Sequence, residues 1–356
     1  MLDHARRLER ELSGSHTRES SLSAEIEDLT VQRDALEAER DELKRLLSTH
    51  QETFDADKKG LLESIDRLDR ELQNLNGQLE FPPGHFYSPI VDPEDPRVAE
   101  ATLAGLVDPA DGFRQISWSE EAMTGLARRM GEHYRTFPFP DHKSDGYRYY
   151  YDNPSFTAAD AITLYGMIRE VRPKRIIEVG AGFSSSLMMD TNDRIFGGGI
   201  ELTFIDPYPD ALLELLDEKD RYRGRIRTEA LQDAPAELFR ALDENDILFL
   251  DSSHVSKTGS DVNDYLFRIL PSLNPGVVIH LHDIFYPFEY PSQWIQERRR
   301  SWNEAYVLRS FLMYNTAFEL VFFNNYFYRK HREITREILP RCLENEGGSI
   351  WLRKVK

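Results

Sequence analysis

Arg175-Ile-Ile-Glu-Val-Gly-Ala-Gly-Phe-Ser-Ser-Ser186 is the stretch on which the reading of this chain turns. An apolar run follows Pro173-Lys174, meets the acid Glu178, passes two glycines spaced G-x-G, and continues into Leu187-Met188-Met189. That pattern predicts strand, tight turn, helix. Gly180 and Gly182 have no Cβ, so the backbone there can turn sharply and approach a ligand closely. Ser184, Ser185 and Ser186 are N-cap residue types, and a helix opening there points free N–H groups at whatever lies over the loop. Nucleotide-type ligands are the usual occupants of such a turn.

Outward from the turn, strands and helices alternate. Ile200–Ile205 predicts a strand ending at Asp206, Arg225–Thr228 a short third strand, and Asp246–Leu250 a fourth ending at Asp251. Gly276–His282 predicts a fifth ending at Asp283, Glu319–Phe323 a sixth, and Ser349–Arg353 a seventh. Alternation of this kind predicts an α/β fold with a mostly parallel sheet covered on both faces. In such sheets ligands gather at the carboxyl ends of the strands. Glu178, Asp206, Asp251 and Asp283 all stand at those ends. Four unpaired buried carboxylates would be costly, so the edge calls for a ligand with hydroxyls, amines or positive charge.

A dinucleotide fingerprint requires G-x-G-x-x-G, and its last position here is Ser185. The ordered set of motifs instead resembles the class I S-adenosylmethionine-dependent methyltransferases, from roughly Phe156 to the C-terminus. The resemblance implies a Rossmann-like, seven-stranded, mostly parallel sheet with one antiparallel strand at or near an edge. It implies S-adenosylmethionine as cofactor, with Glu178, Gly180 and Gly182 holding the methionine end beside Phe183 and Ser184. Asp206 would accept from the two ribose hydroxyls, a role that suits an ionised carboxylate. Gln232 and Asp233 match the region that meets the adenine amino group. The plain alternative for Asp206 is a loop-capping role before Pro207, and for Gln232 and Asp233 an ordinary loop.

The fourth and fifth strand ends carry more chemistry. Asp251-Ser-Ser-His254 and His280-Leu-His282-Asp283 are rich in ligand-type groups, and period two puts His280 and His282 on one face. Some related O-methyltransferases hold a divalent metal with three acids from these two strand ends. By that resemblance Asp251, His282 and Asp283 form the candidate metal set, with His282 where an acid would stand. An imidazole ligand would shift preference from Mg²⁺ toward Mn²⁺, Fe²⁺ or Zn²⁺. The alternative reading is that these side chains bond one another and shape the cleft. His254 is the expected base, since a histidine of ordinary pKa is neutral at pH 7 and can take a hydroxyl proton. His282 is the second candidate base, and Asp251 stands with both the cofactor and the catalytic groups. The reaction implied is in-line attack of a substrate oxygen on a sulfonium methyl.

The chain has 356 residues and a net charge of −18, which repels phosphate backbones and argues against nucleic acid. No apolar run reaches the length of a membrane span, and the N-terminus lacks a signal-peptide core. The lone cysteine, Cys342, has no partner for an internal disulfide. A cytoplasmic protein is the expectation.

Three segments are expected. Residues 1–80 read as a coiled-coil oligomerisation or spacer segment, with a heptad seam through Ile26, Leu29, Leu36, Leu43, Leu47, Phe54 and Leu61. A four-residue stutter leads to Ile65, Leu68, Leu72, Leu75 and Leu79, and Gly14 clouds continuity further upstream. So polar a helix needs a partner, which predicts a homo-oligomer. Residues 81–155 read as a Pro- and aromatic-rich linker with a helical pre-domain, and 156–356 as the cofactor-binding domain. In the linker, His85, Phe86 and Tyr87 predict packing rather than a free spacer. Tyr147, Tyr149, Tyr150 and Tyr151 either bury in a seam or offer stacking faces.

The loop Ile284–Trp294 is aromatic, and with Glu289 and Gln293 it suits a carbohydrate or glycosylated ligand, or plain packing. Pro82–Ser88 and His282–Pro291 look like a bacterial subgroup found among surface-polysaccharide genes, which implies a sugar hydroxyl as acceptor. Two other functions compete: a non-catalytic coiled-coil scaffold that retains a cofactor-binding domain, and an NAD-dependent oxidoreductase.

Overall fold

The computed structural model describes residues 2–76, 80–104 and 113–356. The chain divides into two compact units at Pro82/Pro83. The first contains a single α-helix, α1 (Leu2–Asn76), unbroken through Gly14. At 1.5 Å per residue it is roughly 110 Å long. Its seam residues Ile26, Leu29, Leu36, Leu43, Leu47, Phe54 and Leu61 are all more than half exposed. Neighbouring polar side chains bond along the helix, as between Gln32 and Asp28 at 2.8 Å. Such local pairs add little each, so the helix has no core of its own. Leu79 lies outside the described residues.

The second unit is built on a seven-stranded sheet: β1 (Arg175–Val179), β2 (Glu201–Ile205), β3 (Ile226–Arg227), β4 (Ile247–Leu250), β5 (Val278–His282), β6 (Phe318–Phe323) and β7 (Ser349–Lys354). The order is β3-β2-β1-β4-β5-β7-β6. Neighbours from β3 to β5 pair in parallel, and β7 is antiparallel to both its neighbours. The antiparallel strand expected at or near an edge is therefore one strand in from it. All residues of β4 and β5 are buried, as expected for strands covered on both faces. From β1 the chain winds outward to β3, then returns to β4 on the other side of β1. That reversal opens a crevice at the carboxyl ends of β1 and β4.

Helices α2 (Pro96–Ala104), α3 (Glu120–Tyr134), α4 (Ala158–Val171) and α5 (Phe183–Ile195) precede or follow the first strand. Ser119 caps α3, its hydroxyl accepting from the Ala122 N–H at 3.2 Å. Met123, Leu126, Ala127 and Met130 form the buried stripe of α3. Thr157 precedes α4 but makes no capping bond. Further on lie α6 (Glu304–Leu312) and α7 (Asn324–Lys330). Asp160, near the start of α4, accepts from Asn324 of α7 and from Ser349 of β7, which fixes the β6–β7 end of the sheet to the helical layer.

The tyrosine run divides. Tyr149 and Tyr151 are core residues, and the Tyr149 hydroxyl donates to the Phe156 carbonyl at 2.8 Å. Tyr147 lies under the Arg194 guanidinium, and Tyr150 meets the Phe183 ring edge-on. Of the linker aromatics, Phe86 and Tyr87 are exposed, and their rings lie against each other and against His85. No described helix is long and apolar enough to cross a membrane.

Candidate functional site

The turn after β1 forms as the glycines require, but the two differ. Gly180 has φ +83°, and a Cβ there would lie 1.8 Å from the Asp251 carbonyl. Only glycine lets β1 pass so close to the end of β4. Gly182 has extended φ, and a Cβ there would meet no protein atom. The space above it is open to a ligand. Below the turn, Glu178 is fully buried and accepts from the hydroxyls of Ser184 and Ser185. Ser185 also accepts from the Gly182 N–H at 3.0 Å. Glu178 thus ties β1 to the first turn of α5. Burial raises its carboxyl to about 8, although the two serines oppose the shift.

A cavity of about 420 Å³ opens at the switch point. Gly180, Asp206, Gln232 and Asp251 line it, as four of the residues expected at the cofactor. Asp206 is half-buried and accepts from the Ala181 N–H at 2.8 Å and the Tyr208 N–H at 2.7 Å, one bond on each oxygen. The second lone pair of each oxygen stays available. Gln232 donates to the Gly259 carbonyl at 2.8 Å across the cavity rim. Glu178, Gly182, Phe183, Ser184 and Asp233 are not in its wall. The sequence reading missed Asp261 and Lys257, which are. Asp261 is anchored by the Ser253 N–H and hydroxyl. The wall therefore carries three carboxylates, Asp206, Asp251 and Asp261, against one lysine. That excess suits a ligand with positive charge and hydroxyl donors, and opposes one bearing a pyrophosphate.

A second constellation lies just past the ends of β4 and β5. His254 Nε2 is 3.3 Å from Asp251 and 3.7 Å from Asp283, while Nδ1 is 2.7 Å from Glu304. Glu304 is buried at the start of α6 and also accepts from the Tyr265 hydroxyl. The His254 ring packs on Trp302 at 4.2 Å. His254 and Asp283 both hold positive φ, +60° and +55°. Left-handed backbone at non-glycine residues is sparsely populated, and here it aims both side chains at one point. Burial would lower the His254 pKa, but Asp251 and Glu304 outweigh it and raise the group to about 10. The two carboxylates thus favour the imidazolium form of His254, where the sequence predicts a free base.

His282 Nε2 is 3.7 Å from Asp283. Burial lowers its pKa, but Asp251 and Asp283 overcome that and raise it. Burial lifts the Asp283 carboxyl to about 6 against the opposing charge of His282. Burial also raises Asp251, yet His282 and His254 outweigh it and hold that carboxyl low. His280 is deeper, stacked on Phe249 at 3.9 Å, and burial holds it well below the ordinary range.

The metal expectation for Asp251, His282 and Asp283 is not met. Among the described residues no three His, Cys, Asp or Glu side chains form a group that could hold a metal ion. Instead the His254 ring stands between the Asp251 and Asp283 carboxylates, with Nε2 within 3.3 and 3.7 Å of them. The residues fit an ion-paired cluster rather than a metal.

Strand order, switch-point cavity and acid-ended strands define a class I S-adenosylmethionine-dependent methyltransferase fold. Residues 177–284 match a family model described as a methyltransferase domain. An uncharacterised protein from Archaeoglobus fulgidus is 30% identical over 200 residues, covering 54% of this chain and 86% of that protein. The chain belongs to one family with this archaeal protein, and its methyltransferase domain spans the turn and both strand ends described above. Two solved structures are also similar. S-adenosylhomocysteine-bound methyltransferase PaMTH1 from Podospora anserina is 15% identical with a TM-score of 0.34, covering 74% of this chain and 97% of that one. O-Methyltransferase TomG from Streptomyces achromogenes, solved with S-adenosylmethionine, is 12% identical with a TM-score of 0.36, covering 74% and 99%. Likenesses this low add nothing to the strand order itself.

Proposed function

We propose that the protein is an S-adenosylmethionine-dependent O-methyltransferase acting on a hydroxyl of a carbohydrate or other small molecule. The observation that carries this reading is the switch-point cavity with three carboxylates against one lysine. S-adenosylmethionine supplies the methyl group on a sulfonium centre. Asp206 accepts from the ribose hydroxyls through its two spare lone pairs. Gln232 and the loop after β3 border the adenine. Gly182 leaves open the space in which the methionine end lies over α5, and Glu178 holds that turn in place from below.

The acceptor oxygen must lose a proton as it attacks. Asp283 takes that role in this reading, because a carboxylate of pKa about 6 is ionised at neutral pH yet still basic. His254, held by Glu304, steadies Asp251 and Asp283 as a fixed cation and is a positioning residue. The aromatic loop Ile284–Trp294 supplies faces for the acceptor. The exposed seam of α1 pairs with the same seam of a second copy, giving a homo-oligomer through residues 1–80. Residues 81–155 join this segment to the domain at 156–356.

Calorimetric titration tests the reading. The full chain should bind S-adenosylmethionine and S-adenosylhomocysteine, and NAD far more weakly. Binding of NAD with neither adenosyl compound would refute it.

A further inference from the structure

A second cavity, about 500 Å³, opens at the same carboxyl edge of the sheet, displaced from the first toward β6. Its walls come from four places, one of them Thr102 of α2. Phe285, Glu289 and Tyr290 belong to the loop after β5, Asn325 and Arg329 to α7 after β6, and Gly347 to the approach to β7. Because β7 is antiparallel, its first residue, Ser349, pairs with His282 at the carboxyl end of β5. The cavity therefore begins two residues from Asp283. Its ring wall is fixed: a Cβ on Gly348 would lie 2.4 Å from Phe285, so the ring presses directly on the backbone before β7.

The polar groups of this cavity are unevenly satisfied. Glu346 is paired with Arg332 at 2.8 Å. Glu289 accepts from the Tyr306 hydroxyl at 2.5 Å and from the Tyr290 N–H at 2.9 Å, both on one oxygen. Asn325 is 8% exposed, and its Oδ1 has no hydrogen-bond partner. Arg329 is half-buried in the wall and makes no ion pair or side-chain hydrogen bond among the described residues. The chain has 62 Asp and Glu against 44 Lys and Arg, so acidic partners are in surplus. A cavity arginine left without one is set for an anion from outside.

We infer that this cavity binds the acceptor, and that the acceptor is a ring-bearing, hydroxylated molecule whose carboxylate or phosphate pairs with Arg329. The Asn325 amide and the free Glu289 oxygen take its hydroxyls, and Phe285 and Tyr290 cover its faces. The inference rests on the methyltransferase reading, which places the acceptor next to Asp283.

The test uses the full chain saturated with S-adenosylhomocysteine and three probes: nitrophenyl glucuronide, nitrophenyl phosphoglucoside and uncharged nitrophenyl glucoside. Saturation-transfer NMR and calorimetry should show at least one anionic probe binding roughly tenfold tighter than the uncharged one. Arg329→Gln should erase that difference, Arg329→Lys should keep part of it, and neither should change S-adenosylhomocysteine affinity. Equal binding of all three probes, no binding of any, or an anion preference that survives Arg329→Gln would each overturn the inference while leaving the methyltransferase reading intact. Loss of S-adenosylhomocysteine binding by the wild-type chain would overturn the methyltransferase reading instead. The preference between carboxylate and phosphate identifies the class of acceptor.

Discussion

Replacing Asp206 with asparagine tests the cofactor site with little disturbance to the sheet. Each Asp206 oxygen already accepts one backbone N–H, from Ala181 and from Tyr208. An asparagine keeps only one acceptor oxygen, so one of these loop bonds is lost, at about 0.5–1.5 kcal/mol in stability. In the proposed site the larger effect falls on the ribose. A hydroxyl bonded to a charged acceptor contributes about 1.5–3 kcal/mol, which is a factor of roughly 10 to 150 in Kd. The assay is calorimetric titration of S-adenosylhomocysteine into wild type and Asp206→Asn at one pH, with thermal melting of both free proteins. The expected result is a small fall in Tm and a Kd weaker by that factor. A Kd changed less than about twofold would remove Asp206 from the ribose contact, whatever the melting shows. A large fall in Tm with unchanged affinity would make it a loop cap and nothing more.

Three further outcomes follow from the same geometry. Gly180→Ala should abolish soluble folded protein or lower Tm severely, because its Cβ would sit 1.8 Å from the Asp251 carbonyl and the φ there is positive; a normal melt would show that the β1–β4 approach is looser than described. Glu178 should make stability fall with rising pH: its carboxyl is near 4.5 when unfolded and about 8 when folded, so the folded state holds the extra proton between those values, and its contribution is present below the first and lost through the second. Melting from pH 5 to 9 should show a flatter profile for Glu178→Gln than for wild type, and parallel profiles would mean the carboxyl is ionised throughout. A chain beginning at Pro83 should have fewer subunits by light scattering than the full chain yet bind S-adenosylhomocysteine equally, since the two units are separately compact; equal subunit numbers would assign assembly to the second unit.

How much of this was legible in the sequence depends on the range of the interaction that sets each feature. The strands were readable because each is a short apolar run bounded by its own turn residues, and the parallel order followed from alternation with helices. Gly180 and the acids at strand ends were readable for the same reason, since position along a strand fixes position in the sheet. Individual contacts within that frame were not. Glu178 stood out from its place beside the glycines, but nothing local said that both its oxygens would accept from the serines of the next helix. Arg329 and Asn325 gave no signal, because nothing in Asn324-Asn-Tyr-Phe-Tyr-Arg329 says which side chains face a cavity formed with a loop some forty residues earlier.

His254 shows the limit most clearly. The sequence gives a histidine its ordinary pKa and hence a neutral ring at pH 7. The charge it carries in the fold is decided by Glu304, fifty residues further on, and by the Asp251 and Asp283 strand ends. Asn303-Glu304 reads only as the start of a helix, and no local pattern indicates that this acid turns inward to meet an imidazole. The shift bears on the proposed chemistry, because a charged His254 can hold two carboxylates in place but cannot accept a proton. In the proposed reaction the proton would instead go to a carboxylate beside this histidine, and Asp283, which burial lifts to about 6, is the one nearest the working range.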